Sequence, residues 1–121
     1  MRYADKIPYV FILEYLVDVD VVIKPMFGCH GVYVGGKLCL FLMHRDKPLI
    51  RRKDRKDQKG IYVATSEEHV DGLQKIFAEA EFELLKAKKV WIFFSEESEM
   101  FEAYAVRACE MISACDPRIG R

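Results

Sequence analysis

Four cysteines, three histidines and a run of arginines and lysines are the residues of this chain that could do chemistry. Cys29 and His30 are the one thiol–imidazole neighbour pair. Adjacent residues of a strand point to opposite faces, so they form a dyad only where a bulge re-aims one of them. Cys29, Cys39, Cys109 and Cys115 contain no CxxC spacing, and with His30, His44 and His69 they match neither zinc-finger nor HExxH spacing. No metal site and no cofactor are expected. Ser66, Ser95 and Ser98 stand where helices should begin, and no GxSxG is present, so capping accounts for them. The segment His44–Gly60 holds eight Lys or Arg against three Asp. Within it Arg51, Arg52, Lys53, Arg55 and Lys56 could neutralise several phosphates, with binding that weakens steeply in salt. No aromatic stands among them to stack a base. A solvated loop or contact with a protein of opposite charge is the competing reading.

These residues must be held by elements that the apolar pattern outlines. Lys24–Met43 reads as a strand leading into a hairpin, with Gly35-Gly36 as a two-residue turn of positive φ. That turn would pair Val34 with Lys37, Val32 with Cys39 and His30 with Phe41. Tyr33 with Leu38, Gly31 with Leu40 and Cys29 with Leu42 would share the other face. Cys29 and Cys39 then point apart and cannot bridge. Leu38–Met43 is apolar on both faces and is expected at the sheet centre. Gly28 and Gly31 suggest a bulge or close backbone approach in the incoming strand.

Upstream, Phe11, Ile12, Tyr15, Leu16 and Val19 recur at helical spacing, with Asp5 as cap and the helix ending near Asp18. A period of two follows from Val19, and Pro25 makes that strand an edge. Downstream, Leu49–Arg51 could form a short strand, and Ile61–Ala64 reads as another. Thr65 and Glu68 form a capping box for a helix to about Ala80, with Val70, Leu73, Phe77 and Ala80 buried. Phe82–Lys86 and Val90–Phe94 read as strands. Ser95 is the expected cap of a last helix whose inner stripe is Phe101, Tyr104, Ala105, Ala108, Ile112 and Cys115. Pro117 ends that helix, and Asp116–Arg121 reads as a tail. The order is α-β-β-β-β-α-β-β-α, an α+β fold with a mainly antiparallel sheet and about three helices packed on it.

The quoted stretch carries a resemblance. Met26-Phe27-Gly28, then Gly31-Val32-Tyr33-Val34, then Gly36-Lys37 and an apolar strand resemble the N-terminal domain of the TfoX (Sxy) family, over about residues 5 to 115. The resemblance implies a role like that of transcriptional co-regulators of DNA-uptake genes, which work with a cyclic-AMP receptor protein. It supplies no catalytic residues. It marks Met26, Phe27, Gly28, Gly31, Tyr33 and Gly36 as motif and interaction positions. Family members with that role carry a C-terminal domain, so this chain is expected to be a single-domain relative without one.

Length and composition suit one domain over residues 1–121. The chain is 51% hydrophobic with a formal net charge of zero, so no global charge directs it to nucleic acid or to an anionic membrane. A chain of this size buries roughly two-thirds of its unfolded surface. Met1-Arg2 lead into charged residues, so no signal peptide is expected. No apolar run approaches the ~20 residues that span a bilayer. Buried, reduced thiols then fit a cytoplasmic protein. The expectation is a non-catalytic interaction or regulatory module with a protein partner. A homodimer is a further option, built through the edge strand near Val19–Lys24 or through the hairpin strand. Nucleic-acid binding through Arg51–Lys59 is the alternative.

Overall fold

A computed structural model describes residues 7–26, 29–45 and 58–121. Phe27, Gly28, the segment Leu49–Arg51 and the basic residues Arg51, Arg52, Lys53, Arg55 and Lys56 lie outside the described residues, as does Asp5. The six strands are β1 (Val21–Met26), β2 (Cys29–Val34), β3 (Lys37–Arg45), β4 (Gln58–Ser66), β5 (Glu81–Leu84) and β6 (Lys89–Ser95). They form one antiparallel sheet in the order β1-β2-β3-β4-β6-β5. The helices are α1 (Val70–Ile76) and α2 (Phe101–Ser113), with a 3-10 helix at Val10–Tyr15. The α+β class and the element order are those expected, except that the first helix, expected to run to about Asp18, is a 3-10 helix ending at Tyr15. β1, with Pro25, is an edge, and β3 is central.

The helices pack on one face of the sheet. Ile12 and Leu16, Leu73 and Phe77, and the inner stripe of α2 meet Leu40, Leu42, Ile61, Val63, Ile92 and Phe94 in the main core. Phe77 is fully buried, and its ring lies 5.0 Å from Phe94 and 5.3 Å from Tyr104. Such aromatic clusters add directional contacts to a large buried area. The Tyr104 hydroxyl also accepts the Glu79 N–H at 3.0 Å, which satisfies a donor just past α1.

The hairpin turn is as the sequence requires. Gly35 and Gly36 have φ of 60° and 83°, the positive pair that a tight two-residue turn needs. Beyond Tyr33↔Leu38 the expected register fails. Val32 pairs with Leu40, Gly31 with Phe41 and His30 with Leu42. Cys39 is the extra residue of a bulge. Its mark is that Cys39 and Leu40, adjacent in sequence, both enter the main core. The bulge thus falls on the outgoing strand, not at Gly31. Cys29 and Cys39 still lie in different apolar clusters, so they stay apart.

Several boundaries shift for identifiable reasons. Thr65 does not cap a helix. It is buried and donates its hydroxyl to the Arg118 carbonyl at 2.5 Å. Ser66 precedes a single 3-10 turn, Glu67–His69, without a side-chain cap bond, and α1 begins only at Val70. Ser95 accepts from the Glu97 N–H and Ser98 from the Met100 N–H. These bonds hold consecutive turns, so the last helix starts at Phe101. That helix ends at Ser113, before Pro117, and Cys115 is exposed, with φ of 61°, outside the buried stripe.

The largest correction concerns Asp116–Arg121, which is not a loose tail. The β3–β4 ladder runs from Arg45↔Gln58 to Leu40↔Val63. Beyond it the last residues take up the freed groups. Leu38 and Arg121 exchange two backbone hydrogen bonds of 3.0 and 3.1 Å, and the Gly120 N–H donates to the Ala64 carbonyl at 2.8 Å. Gly120 has φ of 104°, and a Cβ there would stand 3.2 Å from the Cys39 sulfur, so both backbone and space favour glycine. Ile119 is buried in the main core. Asp116 accepts from the Arg118 side chain at 2.7 and 3.0 Å and from its backbone N–H at 3.0 Å. Chiefly the side-chain bond from Arg118 holds the Asp116 carboxyl below its ordinary value of 3.8.

Two outcomes follow for the closing segment. Ile119→Ala should destabilise the protein by about 2–5 kcal/mol in urea unfolding. A change near zero would show that the segment is an appendage. For Asp116 the native pKa is depressed, so its stabilisation is present above the ordinary carboxyl value and lost as pH falls through the native one. The stability gap between the protein and Asp116→Asn should therefore narrow as pH falls below the ordinary carboxyl value and close once it has passed the depressed native one. A gap unchanged across acid titration would contradict the ion pair.

Candidate functional site

The second face of the sheet carries its own apolar cluster, and among the described residues only strands build it. Cys29, Met43 and Tyr62 are buried there, with Phe41, Trp91 and Phe93 half-buried against them. The alternation of each strand puts them on this face, opposite the core set. Phe41 pairs with Tyr62, and Tyr62 with Phe93, so three strands line up their rings. The Phe41 and Trp91 rings are stacked at 5.3 Å with planes 7° apart. Tyr62 stands edge-on to Trp91 at 5.8 Å and tilted against Phe93 at 4.6 Å.

Two cations border this strip. The Arg121 guanidinium lies 4.6 Å from the Trp91 ring centroid and donates to the carbonyls of Thr65 at 2.9 Å and Val90 at 3.1 Å. Burial lowers the pKa of this guanidinium from its ordinary value. At the other end the Lys24 ammonium stands 5.0 Å from the Tyr33 ring centroid. Cation–ring contacts of this kind both orient the charge and fix the ring.

Of the motif residues, Gly31 and Tyr33 share strand parity with Cys29 and so belong to this face. Met26 pairs with Cys29 at the end of β1, and Gly36 serves the turn. Phe27 and Gly28 lie outside the described residues, as does the proposed phosphate-neutralising set Arg51, Arg52, Lys53, Arg55 and Lys56. The motif therefore contributes Gly31 and Tyr33 to a surface whose other members, Phe41, Tyr62, Trp91, Phe93 and Arg121, it does not mark. The alternation in β4 and β6 could have signalled them. Tyr62 and Phe93 alternate with Ile61, Val63, Ile92 and Phe94, so each strand has an aliphatic or core side and an aromatic side.

Gly60 shapes this surface. A Cβ there would collide with the Phe94 carbonyl oxygen and meet two Phe93 ring carbons at 2.7 and 2.9 Å. The bare backbone at Gly60 thus lets the Phe93 ring lie close to the strand.

The nucleophile and metal candidates are not brought together. Cys29 sits on the aromatic face, whereas His30 is paired with Leu42 of the core side. They form no dyad. Burial lowers the His30 pKa, and its Nδ1 is buried without a hydrogen-bond partner among the described residues. Burial likewise raises Cys39, and pushes Cys109 up to about 12, so neither is a ready thiolate. His44 lies 3.5 Å from Glu96, which also accepts from the Tyr9 hydroxyl at 2.6 Å. His69 lies 3.1 Å from Glu68. Among the described residues no group of three or more His, Cys, Asp or Glu is placed to hold a metal ion. Among the described residues no helix is long and apolar enough to cross a membrane.

In comparisons with family models, curated proteins and solved structures, nothing matches this chain.

Two measurements probe this description. Gly60→Ala should destabilise by about 1–3 kcal/mol through overpacking, whereas relieving a glycine in an open strand would stabilise. The sign read by thermal or urea unfolding decides. In the native protein a disulfide-exchange reagent should modify Cys115 rapidly, and Cys29, Cys39 and Cys109 only on unfolding. Fast modification of more than one thiol would show that the core is open.

Proposed function

We propose that this chain is a non-catalytic interaction module, in line with the resemblance of its hairpin to the TfoX N-terminal domain, and that a protein partner docks on the aromatic sheet face. The observation that carries the reading is the composition of that face. Trp91, Tyr33, Tyr62 and Arg121 are the residue types that dominate the energetics of protein interfaces. Here they are already oriented, by ring stacking and by cation contacts, so little side-chain entropy remains to be lost on docking. The strip is strand-built and spans β3, β4 and β6, which suits a broad protein contact. The cytoplasm is the proposed compartment, and a second copy of the chain is one candidate partner.

The alternative is nucleic-acid binding through Arg51–Lys59. The aromatic face favours it in one respect, since rings beside cations can stack bases. Reversing the charges of Arg51, Arg52 and Lys53 then flattens the salt dependence of binding.

Trp91 is the sole tryptophan, so it reports on this face directly. The experiment is co-purification from native cell extract with and without nuclease, followed by titration of the recovered partner against the chain. A protein that survives nuclease and shifts Trp91 emission while shielding it from acrylamide supports the reading. A partner that leaves Trp91 emission and quenching unchanged refutes the face assignment. Loss of the bound material on nuclease treatment turns the assignment to nucleic acid.

A further inference from the structure

β5 is the shortest strand of the sheet and lies at its edge, paired with β6 alone. Its register shows which of its backbone groups are used. The Leu85 N–H donates to the Lys89 carbonyl at 2.7 Å, and the same register continues through Leu84↔Val90, Glu83↔Trp91 and Phe82↔Ile92. Hydrogen-bonded and non-hydrogen-bonded pairs alternate in an antiparallel ladder. Counting back from Leu85, Glu83 and Glu81 bond β6. Phe82 and Leu84 therefore turn their N–H and C=O groups to the outer edge, where no strand among the described residues meets them.

The side chains of the same two residues line a groove of about 470 Å³ between β5 and the start of α1. Val70 and Val90 complete its apolar lining, and Glu67 and Asp71 are its polar members. Leu84 is 61% exposed, the most exposed large apolar side chain among the described residues. An apolar edge of this kind invites pairing. The opposite edge, β1, carries Lys24 and Pro25, which discourage it. A strand laid along β5 could bond Phe82 and Leu84 and place alternate side chains in the groove.

Charge selects the occupant. Glu67 and Asp71 are exposed on the groove, and Glu81 and Glu83 stand on the other side of β5. Lys86 and Lys88 belong to the following turn and Lys89 opens β6, and none of the three lines the groove. A second copy pairing through its own β5 would set these carboxylates against their like, which is unfavourable across strands. We propose that the β5 edge is a strand-addition site for an extended segment of another protein in which apolar residues alternate with Lys or Arg. The apolar residues enter the groove opposite Phe82 and Leu84, and the basic ones lie beside the carboxylates. The groove lies on the helix side of the sheet, whereas Glu81 and Glu83, opposite Phe93 and Trp91, border the aromatic face, so the two sites adjoin at these carboxylates.

The test uses the full chain and a synthetic peptide of alternating valine and lysine, about eight residues long. A valine–glutamate peptide of equal length is the comparison. The lysine peptide should bind, shift the backbone amide resonances of Phe82 and Leu84, and weaken as salt rises. Leu84→Lys should weaken binding about tenfold or more while leaving thermal unfolding unchanged, because the side chain is exposed. Equal binding of the two peptides, failure of both, or amide shifts centred on β1 would overturn the proposal. So would a dimer of the chain alone, seen in sedimentation, that Leu84→Lys dissociates, since the edge would then belong to a second copy.

Discussion

The extra residue at Cys39 is the constraint on which the rest of the sheet depends. A strand alternates strictly, so one inserted residue exchanges the faces of everything beyond it. Cys39 and Leu40 both enter the core, and after them Leu42 faces the helices while Phe41 and Met43 face the other way. Without the bulge, Phe41 would pair with His30 and the aromatic strip would lose its first ring. The bulge also coincides with the end of the β3–β4 ladder, where Leu38 is left to bond another segment. Arg121 takes that place, and Gly120 fits against the Cys39 sulfur because it has no side chain.

From that closure the two faces acquire different physics. The helix side is a core of aliphatic and aromatic groups around Phe77, Phe94 and Tyr104, held by area and close packing. The other side is a strip of rings in stacked, edge-on and tilted contact, bordered by Arg121 and Lys24. Arg121 belongs to both stories. Its backbone pairs with Leu38 of β3, and its guanidinium bonds two carbonyls and lies near Trp91. The stability of the sheet and the order of the proposed docking face thus rest on the same residue.

The sheet also has two unlike edges. β1 is protected by a proline and a lysine, whereas β5 presents Phe82 and Leu84 with a groove behind them. Natural sheets blunt their edges against chance pairing, so a short edge with an exposed leucine and carboxylates around it suits pairing restricted by charge.

Local chemistry made much of this readable in advance. The Gly35-Gly36 turn follows from the need for positive φ, the edge position of β1 from a proline without an N–H, and the buried faces of Leu73, Phe77, Phe101 and Tyr104 from helical spacing. The α+β class and the element order come from the same short-range patterns. What failed was everything set by partners distant in sequence. Thr65 has the sequence context of a helix cap, yet the Arg118 carbonyl claims its hydroxyl from the far end of the chain. Asp116–Arg121 has the composition of a tail, yet it completes a sheet, because only the folded arrangement exposes unpaired groups at Leu38 and Ala64. The bulge at Cys39 has no local signal, since every residue around it is apolar and either register buries them. Residues of the motif mark Gly31 and Tyr33, but the surface to which they belong is assembled from strands far apart in sequence. Short-range preferences therefore determined which elements form. Long-range pairing decided which face each side chain took, and with it the surfaces proposed for docking.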